Sequence, residues 1–188
     1  MSIEELYNIL LSDNPREELL IHEEQLFELI PELEVCKGFD QHNEWHVYDV
    51  YEHILHVVDN VPSDLVLRLT ASFHDIGKPK CFVLDSNGVG HFFGHWNESL
   101  KIFSDFSKKH DIDFDISSLV SKLIFYHDKN ISKMDEEEKK MLFETFDSNG
   151  IKMLYQIKRA DLLAQNSKYH YILDNYDEQE KKILSYHL

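Results

Sequence analysis

The segment Leu65–Phe73 most narrows what this chain can fold into. Leu65, Val66, Leu67, Leu69, Ala71 and Phe73 are apolar nearly all round a helical wheel, and a helix without a polar face has to be covered on every side. Pro62 ends the region before it, Ser63 or Asp64 can cap it, and Gly77 and Pro79 terminate it. The remaining chain must supply the cover, and its periodicity is also helical: only four prolines and six glycines punctuate 188 residues. Segment 3–12 and the stretch following Pro15 read as two helices. A loop follows around 37–47, and Val50, Ile54, Val57 and Val58 then mark one face of another helix. Further helices are expected near 96–109, 115–127, 136–146 and 149–166, and again near the C-terminus. Asp85-Ser86-Asn87-Gly88 is a turn sequence, which places a short hairpin or a loop within 81–93. The expected architecture is an all-α globule of roughly seven to nine helices, a single domain over 1–188.

Several function classes are disfavoured at this point. No window approaches the roughly 18 consecutive apolar residues of a membrane-spanning helix. Met1-Ser2-Ile3-Glu4-Glu5 lacks the basic start of a secretory signal, so a cytoplasmic location is expected. Cys36 and Cys81 match no metal or redox spacing and read as two reduced structural thiols. A net charge of −16 repels long nucleic acids, whose binding is dominated by contacts from Lys and Arg to phosphate. It leaves room for a small phosphorylated ligand held by a metal and a few local cations.

The twelve histidines fall mostly between His42 and His127, and the informative ones sit where apolar residues are expected. His53 lies on the same helical face as Val50 and Val57. His74-Asp75 follows directly on the most hydrophobic helix. His127 extends the stripe Ile116, Leu119, Val120, Leu123, and Asp161 falls on the stripe Leu154, Ile157, Ala164. A carboxylate on a buried face costs several kcal/mol unless it is compensated. A divalent cation compensates it, and would account for histidines facing inward from several helices. Each residue alone has an ordinary reading: an inward His is usually hydrogen-bonded in the core, and Asp161 has Lys158 and Arg159 nearby as ion-pair partners. The argument rests on their combination.

The order His53, His74-Asp75, Asp161 resembles the HD superfamily of metal-dependent phosphohydrolases. The strings HDIGKP (His74–Pro79) and HFFGH (His91–His95) are similar to the HD domain attached to bacterial tRNA nucleotidyltransferases, as are EWHVYDVYEH (Glu44–His53) and KRADLLAQN (Lys158–Asn166). The likeness covers about 42–166. It implies an all-α HD domain in which His53, His74, Asp75 and Asp161 bind one metal. Two-metal members add a His after the HD pair and another on a later helix, places taken here by His95 and His127, with His91 a rival to His95. His46 is open between a substrate-binding and a structural role, His56 reads as solvated, and His42, His110, His170 and His187 receive no role. The Gly-rich, paired-aspartate signature of nucleotidyl transfer is missing; Asp111-Ile112-Asp113 reads as an inter-helix loop.

Imidazoles and carboxylates without thiolate suit one or two ions of Mn, Fe, Co, Ni or Zn. Such a metal activates water and polarises a phosphoryl oxygen, with Asp75 as a ligand that also orients the water. Lys78, in the Gly-Lys-Pro turn, is a candidate to neutralise phosphate charge, its alternative being a solvated turn lysine. His46, His91 and Arg159 are substrate-binding candidates, Arg159 having a surface ion pair as its alternative. The expected reaction is cleavage of a phosphomonoester or phosphodiester, with a nucleotide as the implied substrate. Two other classes stay open: a non-catalytic metal- or nucleotide-binding signalling module, and an HD-fold di-iron oxygenase.

Overall fold

A computed structural model describes residues 1–185 and shows the apolar segment as the central helix of an all-α fold. In α6 (Leu65–Phe73) Asp64 accepts from the backbone N–H of Leu67 at 3.0 Å, and every residue from Leu67 to Phe73 is buried. Its polar members are satisfied locally: Thr70 and Ser72 donate to the carbonyls of Val66 and Arg68. Arg68 donates to carbonyls of Val61, Pro62 and Leu10, tying the C-terminal ends of the first helix and of the helix before α6 to it. The cover comes from α5 (Val50–Asn60), α7 (His95–Lys109), α8 (Phe114–Tyr126) and α10 (Ser148–Leu163), all packed on α6. Fully buried Tyr51, Phe73, Phe103 and Tyr155 are among the largest side chains of this core. Burying one such ring contributes about 1.5–3 kcal/mol.

The later helices fall close to their expected bounds because aspartates fix their starts. Asp113, Asp135 and Asp147 each accept from backbone N–H groups at the first turns of α8, α9 (Glu136–Thr145) and α10. The Asp111–Asp113 stretch is the inter-helix loop it was read as. After α10, α11 (Ile172–Ser185) packs back along it. His187 lies outside the described residues.

The N-terminal region differs from expectation. After α1 (Ile3–Leu10), the stretch following Pro15 forms three short helices: α2 (Pro15–Ile21), α3 (Glu23–Leu29) and α4 (Pro31–Cys36). Pro31 lacks an N–H and excludes helical geometry at the residue before it; Ile30 accordingly sits at φ −131°, ψ 80°. The break at His22 has no comparable cause in the sequence. These divisions raise the count among the described residues to eleven α-helices. The 81–93 region does contain a hairpin, β1 (Val83–Leu84) paired antiparallel with β2 (Gly90–His91), Val83 opposite His91. Asp85 closes its turn by accepting from Asn87 and Val89 N–H. Among the described residues no helix is long and apolar enough to cross a membrane.

Candidate metal centre

Five elements converge on one point. The Asp49 side chain caps α5, and His53 sits one turn in, with no exposed surface. His74 is the C-terminal cap of α6 and Asp75 follows it, so the most buried helix ends on the HD pair. Gly94, at φ +75°, starts α7 and puts His95 at its first position. His127 caps the C-terminus of α8, and Asp161 projects from α10. Gly77 lets α7 come this close: a Cβ there would lie 2.5 Å from His95 O and Ser99 N. Ser99 fastens the contact, accepting from Gly77 N–H and donating to His74 O at 2.8 Å.

The side chains form two groups sharing Asp75. In each group, ligand atoms lie within 4.8 Å of one another: His53, His74, Asp75 and Asp161 in the first, Asp75, His95 and His127 in the second. Asp75 turns Oδ2 to the first group, 3.2 Å from His53 Nε2 and 3.3 Å from His74 Nε2, and Oδ1 to the second, 3.1 Å from His95 Nε2 and 3.6 Å from His127 Nε2. Asp161 Oδ1 lies 3.0 Å from His53 Nε2.

Ring tautomers follow from the backbone. His74, His95 and His127 each bring Nδ1 to a carbonyl, Ala71 O at 2.8 Å, Phe92 O at 2.9 Å and Ile124 O at 2.7 Å. A carbonyl only accepts, so Nδ1 carries the proton and Nε2 presents a lone pair to the centre, the arrangement that orients metal-binding histidines. His95 Nε2 and His127 Nε2 consequently face each other at 3.2 Å. Two lone pairs and a carboxylate oxygen aimed into one volume repel unless a cation lies among them. In the first group, carboxylate oxygens lie 3.0–3.3 Å from the buried Nε2 atoms of His53 and His74 without the geometry of a hydrogen bond, an arrangement native interiors rarely leave uncompensated. These residues fit a divalent metal in both groups.

The charges of the centre shift one another's protonation. Burial alone would raise Asp75 and Asp161, but the Lys78 ammonium with the imidazoles, and His53 with His74, respectively, hold both well below the ordinary carboxylate range. Burial lowers His127, whereas at His53 and His95 the facing carboxylates outweigh burial and raise the ring.

Lys78 is not a solvated turn residue. It is 5% exposed, with Nζ 2.6 Å from Asp75 Oδ2 and donating to Gln41 Oε1 at 2.8 Å. His46 stands beside it, Nδ1 on Asn43 Oδ1 at 2.8 Å and Nε2 3.2 Å from Lys78 Nζ. Burial and the Lys78 charge push His46 down to about 2, so it is neutral. Both residues line a cleft of about 250 Å³ that opens on Asp75, His95, His127 and Asp161. His91 lines the outer part of that cleft, 3.3 Å from Asp85 Oδ2 and stacked on Phe93. His95, not His91, joins the cluster.

Arg159 forms the ion pair that was its alternative reading. Its guanidinium reaches α11, 2.6 Å from Asp177 Oδ1 and 2.5 Å from Glu180 Oε2, and away from the cleft. His56 is half-buried and stacked on Tyr48, rather than freely solvated. Sequence reasoning missed Gln41 and Gln165, and gave Lys158 only as an ion-pair partner for Asp161. Lys158 is buried and donates to His127 O at 2.6 Å and Lys129 O at 2.8 Å, and burial lowers it to about 8. Gln165 donates to Asp161 Oδ1 at 3.1 Å; its place four residues after Asp161 was a readable cue.

No protein-family profile matches the chain, and no curated protein matches it significantly.

Proposed function

We propose that this chain is an HD-type metal-dependent phosphohydrolase, one domain acting on a small phosphoester. The observation that carries the reading is Asp75, a buried carboxylate whose two oxygens serve two groups of inward-facing imidazoles at the floor of an open cleft. His53, His74, Asp75 and Asp161 would hold one ion, and Asp75, His95 and His127 a second. The donor set, imidazole and carboxylate without thiolate, suits Mn, Fe, Co, Ni or Zn. The metal, when bound, supplies an acidified water and polarises a phosphoryl oxygen.

The chain's own groups do the positioning. Asp75 orients the nucleophilic water through a carboxylate that the HD turn fixes in place. Lys78, which lines the cleft beside Asp75, would offer its ammonium to phosphate charge there. His46 is neutral and carries its free lone pair toward Lys78, so it steers that ammonium rather than adding charge. The same reading puts the protein in the cytoplasm, where its unpaired Cys36 and Cys81 stay reduced.

Metal-free protein reloaded separately with Mn, Fe, Co, Ni and Zn, then assayed on p-nitrophenyl phosphate and bis-p-nitrophenyl phosphate, tests this. Metal-dependent release of p-nitrophenol that is lost in Asp75→Asn is expected. Stoichiometric metal binding with no phosphoester turnover would favour a binding module, and dioxygen-dependent substrate loss an oxygenase.

A further inference from the structure

We propose that Trp45 and Tyr169 are positioning residues: their stacked rings clasp the connection between α4 and α5 across the metal centre, and so hold Gln41 and His46 against the Lys78 ammonium. The consequence for catalysis rests on the phosphohydrolase reading above; the clasp itself does not. The connection, residues 37–49, runs as a strap over the first metal group. Two neighbours on it lie on opposite sides. The His46 ring is inward, edge-on to the buried His53 ring at a centroid distance of 5.2 Å, and Trp45 is outward and 41% exposed. A tryptophan so exposed adds little to the core, yet this one stacks on Tyr169 with ring centroids 3.6 Å apart and planes inclined by 16°.

The strap is held in three places. Its base is pinched shut, with Val50 N–H donating to Phe39 O at 3.2 Å and Gly38 N–H to Asp49 Oδ2 at 2.9 Å. On the hairpin side Gly90 N–H donates to His42 O at 2.8 Å, and a Cβ on Gly90 would lie 2.2 Å from Gln41 O, so β2 and the strap meet backbone to backbone. On the far side the strap reaches the turn after α10. There Asn166 donates its N–H to Trp45 O at 2.8 Å and its side-chain amide to Glu44 O at 3.1 Å. Lys168 pairs with Glu44 at 2.7 Å, but both side chains are exposed and such a pair contributes little. The aromatic stack is therefore the main side-chain contact of this side. A pair of that kind favours the closed arrangement by about 2–10-fold beyond the area it buries.

What the strap carries makes its hold matter. Gln41 is buried, accepts from Lys78 Nζ through Oε1 at 2.8 Å and donates through Nε2 to Tyr48 O at 3.2 Å. His46 Nε2 lies 3.2 Å from the same Nζ. Asn43 joins them: Nδ2 donates to Gln41 O at 2.9 Å, and Oδ1 lies 2.8 Å from His46 Nδ1 and accepts from Trp45 N–H at 3.1 Å. Trp45 and both neutral partners of Lys78 thus belong to one hydrogen-bonded unit. A strap released at Trp45 shifts Gln41 and His46 together and opens Lys78 to solvent.

A brief pulse of acetic anhydride on the metal-free protein, read at each lysine by peptide mass spectrometry, tests the clasp without any assay of activity. Lys78 is 5% exposed and should label more slowly than Lys140, whose side chain is 75% exposed. In Tyr169→Ala, and equally in Trp45→Ala, the Lys78 rate relative to Lys140 should rise about 2–10-fold, with melting temperature and metal content near those of the wild type. The double variant should match either single one, because the same pair is lost in all three. Trp45→Phe keeps a ring against Tyr169 and should stay within about twofold of the wild type. A Lys78 rate unmoved by both alanine variants, effects that add in the double variant, or a rise seen only in protein without a melting transition overturns the clasp. Kinetics of the Mn-loaded protein on p-nitrophenyl phosphate read its catalytic consequence: both alanine variants should raise KM and leave kcat within about twofold. A fall in kcat at unchanged KM overturns that consequence. Faster Lys78 labelling in protein that hydrolyses no phosphoester with any metal keeps the clasp and refutes the phosphohydrolase.

Discussion

Replacing Asp75 by Asn removes a single charge from the point where both metal groups meet, and two measurable consequences diverge. The first concerns the metal-free protein. The histidines around Asp75 can shed protons when the carboxylate is lost, but the buried Lys78 ammonium keeps only neutral acceptors, Gln41 Oε1 and His46 Nε2. Breaking a buried ion pair by removing one member costs about 3–5 kcal/mol. Total stability of about 5–15 kcal/mol leaves the variant folded. Its midpoint should fall by roughly 6–20 °C, at about 2–4 °C per kcal/mol for a chain of this size. The double variant Asp75→Asn, Lys78→Met buries neither charge and should recover most of that loss. The second consequence concerns metal. Because Asp75 serves both groups, metal content should fall toward zero in the single and the double variant alike. Thermal melts of metal-free protein and elemental analysis after reloading and desalting read the two effects. An Asp75→Asn protein that melts with the wild type refutes the buried-pair argument, and one that keeps a full complement of metal refutes the centre itself.

His95→Ala with His127→Ala should lower the metal-to-protein ratio by about half; an unchanged ratio would remove the second position and leave His53, His74, Asp75 and Asp161 as the whole site. Gly77→Ala should force α7 off the HD turn, since the new methyl meets backbone atoms of His95 and Ser99 at 2.5 Å. The expected cost is about 1–3 kcal/mol, and a wild-type melting temperature with full metal content would contradict that close packing. The metal-free protein should lose stability as pH falls below about 6, where the raised His53 and His95 have given their full contribution, and more steeply below about 4. His46 and His127 titrate below their ordinary range when folded, and Asp75 and Asp161 do likewise. In each case the unfolded chain takes up protons first, so acid favours it. Urea midpoints measured from pH 6 to 3 that stay level or rise would refute this.

The helical frame was legible because its cues are local. Asp64, Asp113, Asp135 and Asp147 mark helix starts directly in the chain, and the apolar girdle of α6 requires helices around it. His53, His74, Asp75, His127 and Asp161 could be singled out as polar groups on apolar stripes. What escaped depends on distant parts of the chain. Arg159 stayed open between phosphate and a surface ion pair because Asp177 and Glu180 follow 18 and 21 residues later on a separate helix. Lys78 resembled a turn lysine because Gln41, 37 residues earlier, gives no periodic sign of being its buried acceptor. His91 and His95 could not be ranked by spacing, because the choice turns on Gly94 adopting a left-handed backbone and starting α7 at the next residue. The divisions at His22 and Ile30 show the same contrast: Pro31 explains the second, and nothing local announces the first.

The single carboxylate with two working oxygens also bears on how metal is taken up. In the metal-free chain Oδ2 of Asp75 is engaged by Lys78 at 2.6 Å while Oδ1 points at His95 and His127. An ion held by His53, His74 and Asp161 would also need Oδ2 of Asp75, which that ammonium engages, and one held by His95 and His127 would need Oδ1 of the same carboxylate. Sites joined through one residue in this way share a coupling free energy, and it must be reciprocal. Filling either position would therefore change the affinity of the other by the same factor, whichever is loaded first, and the two binding constants measured together report that shared term.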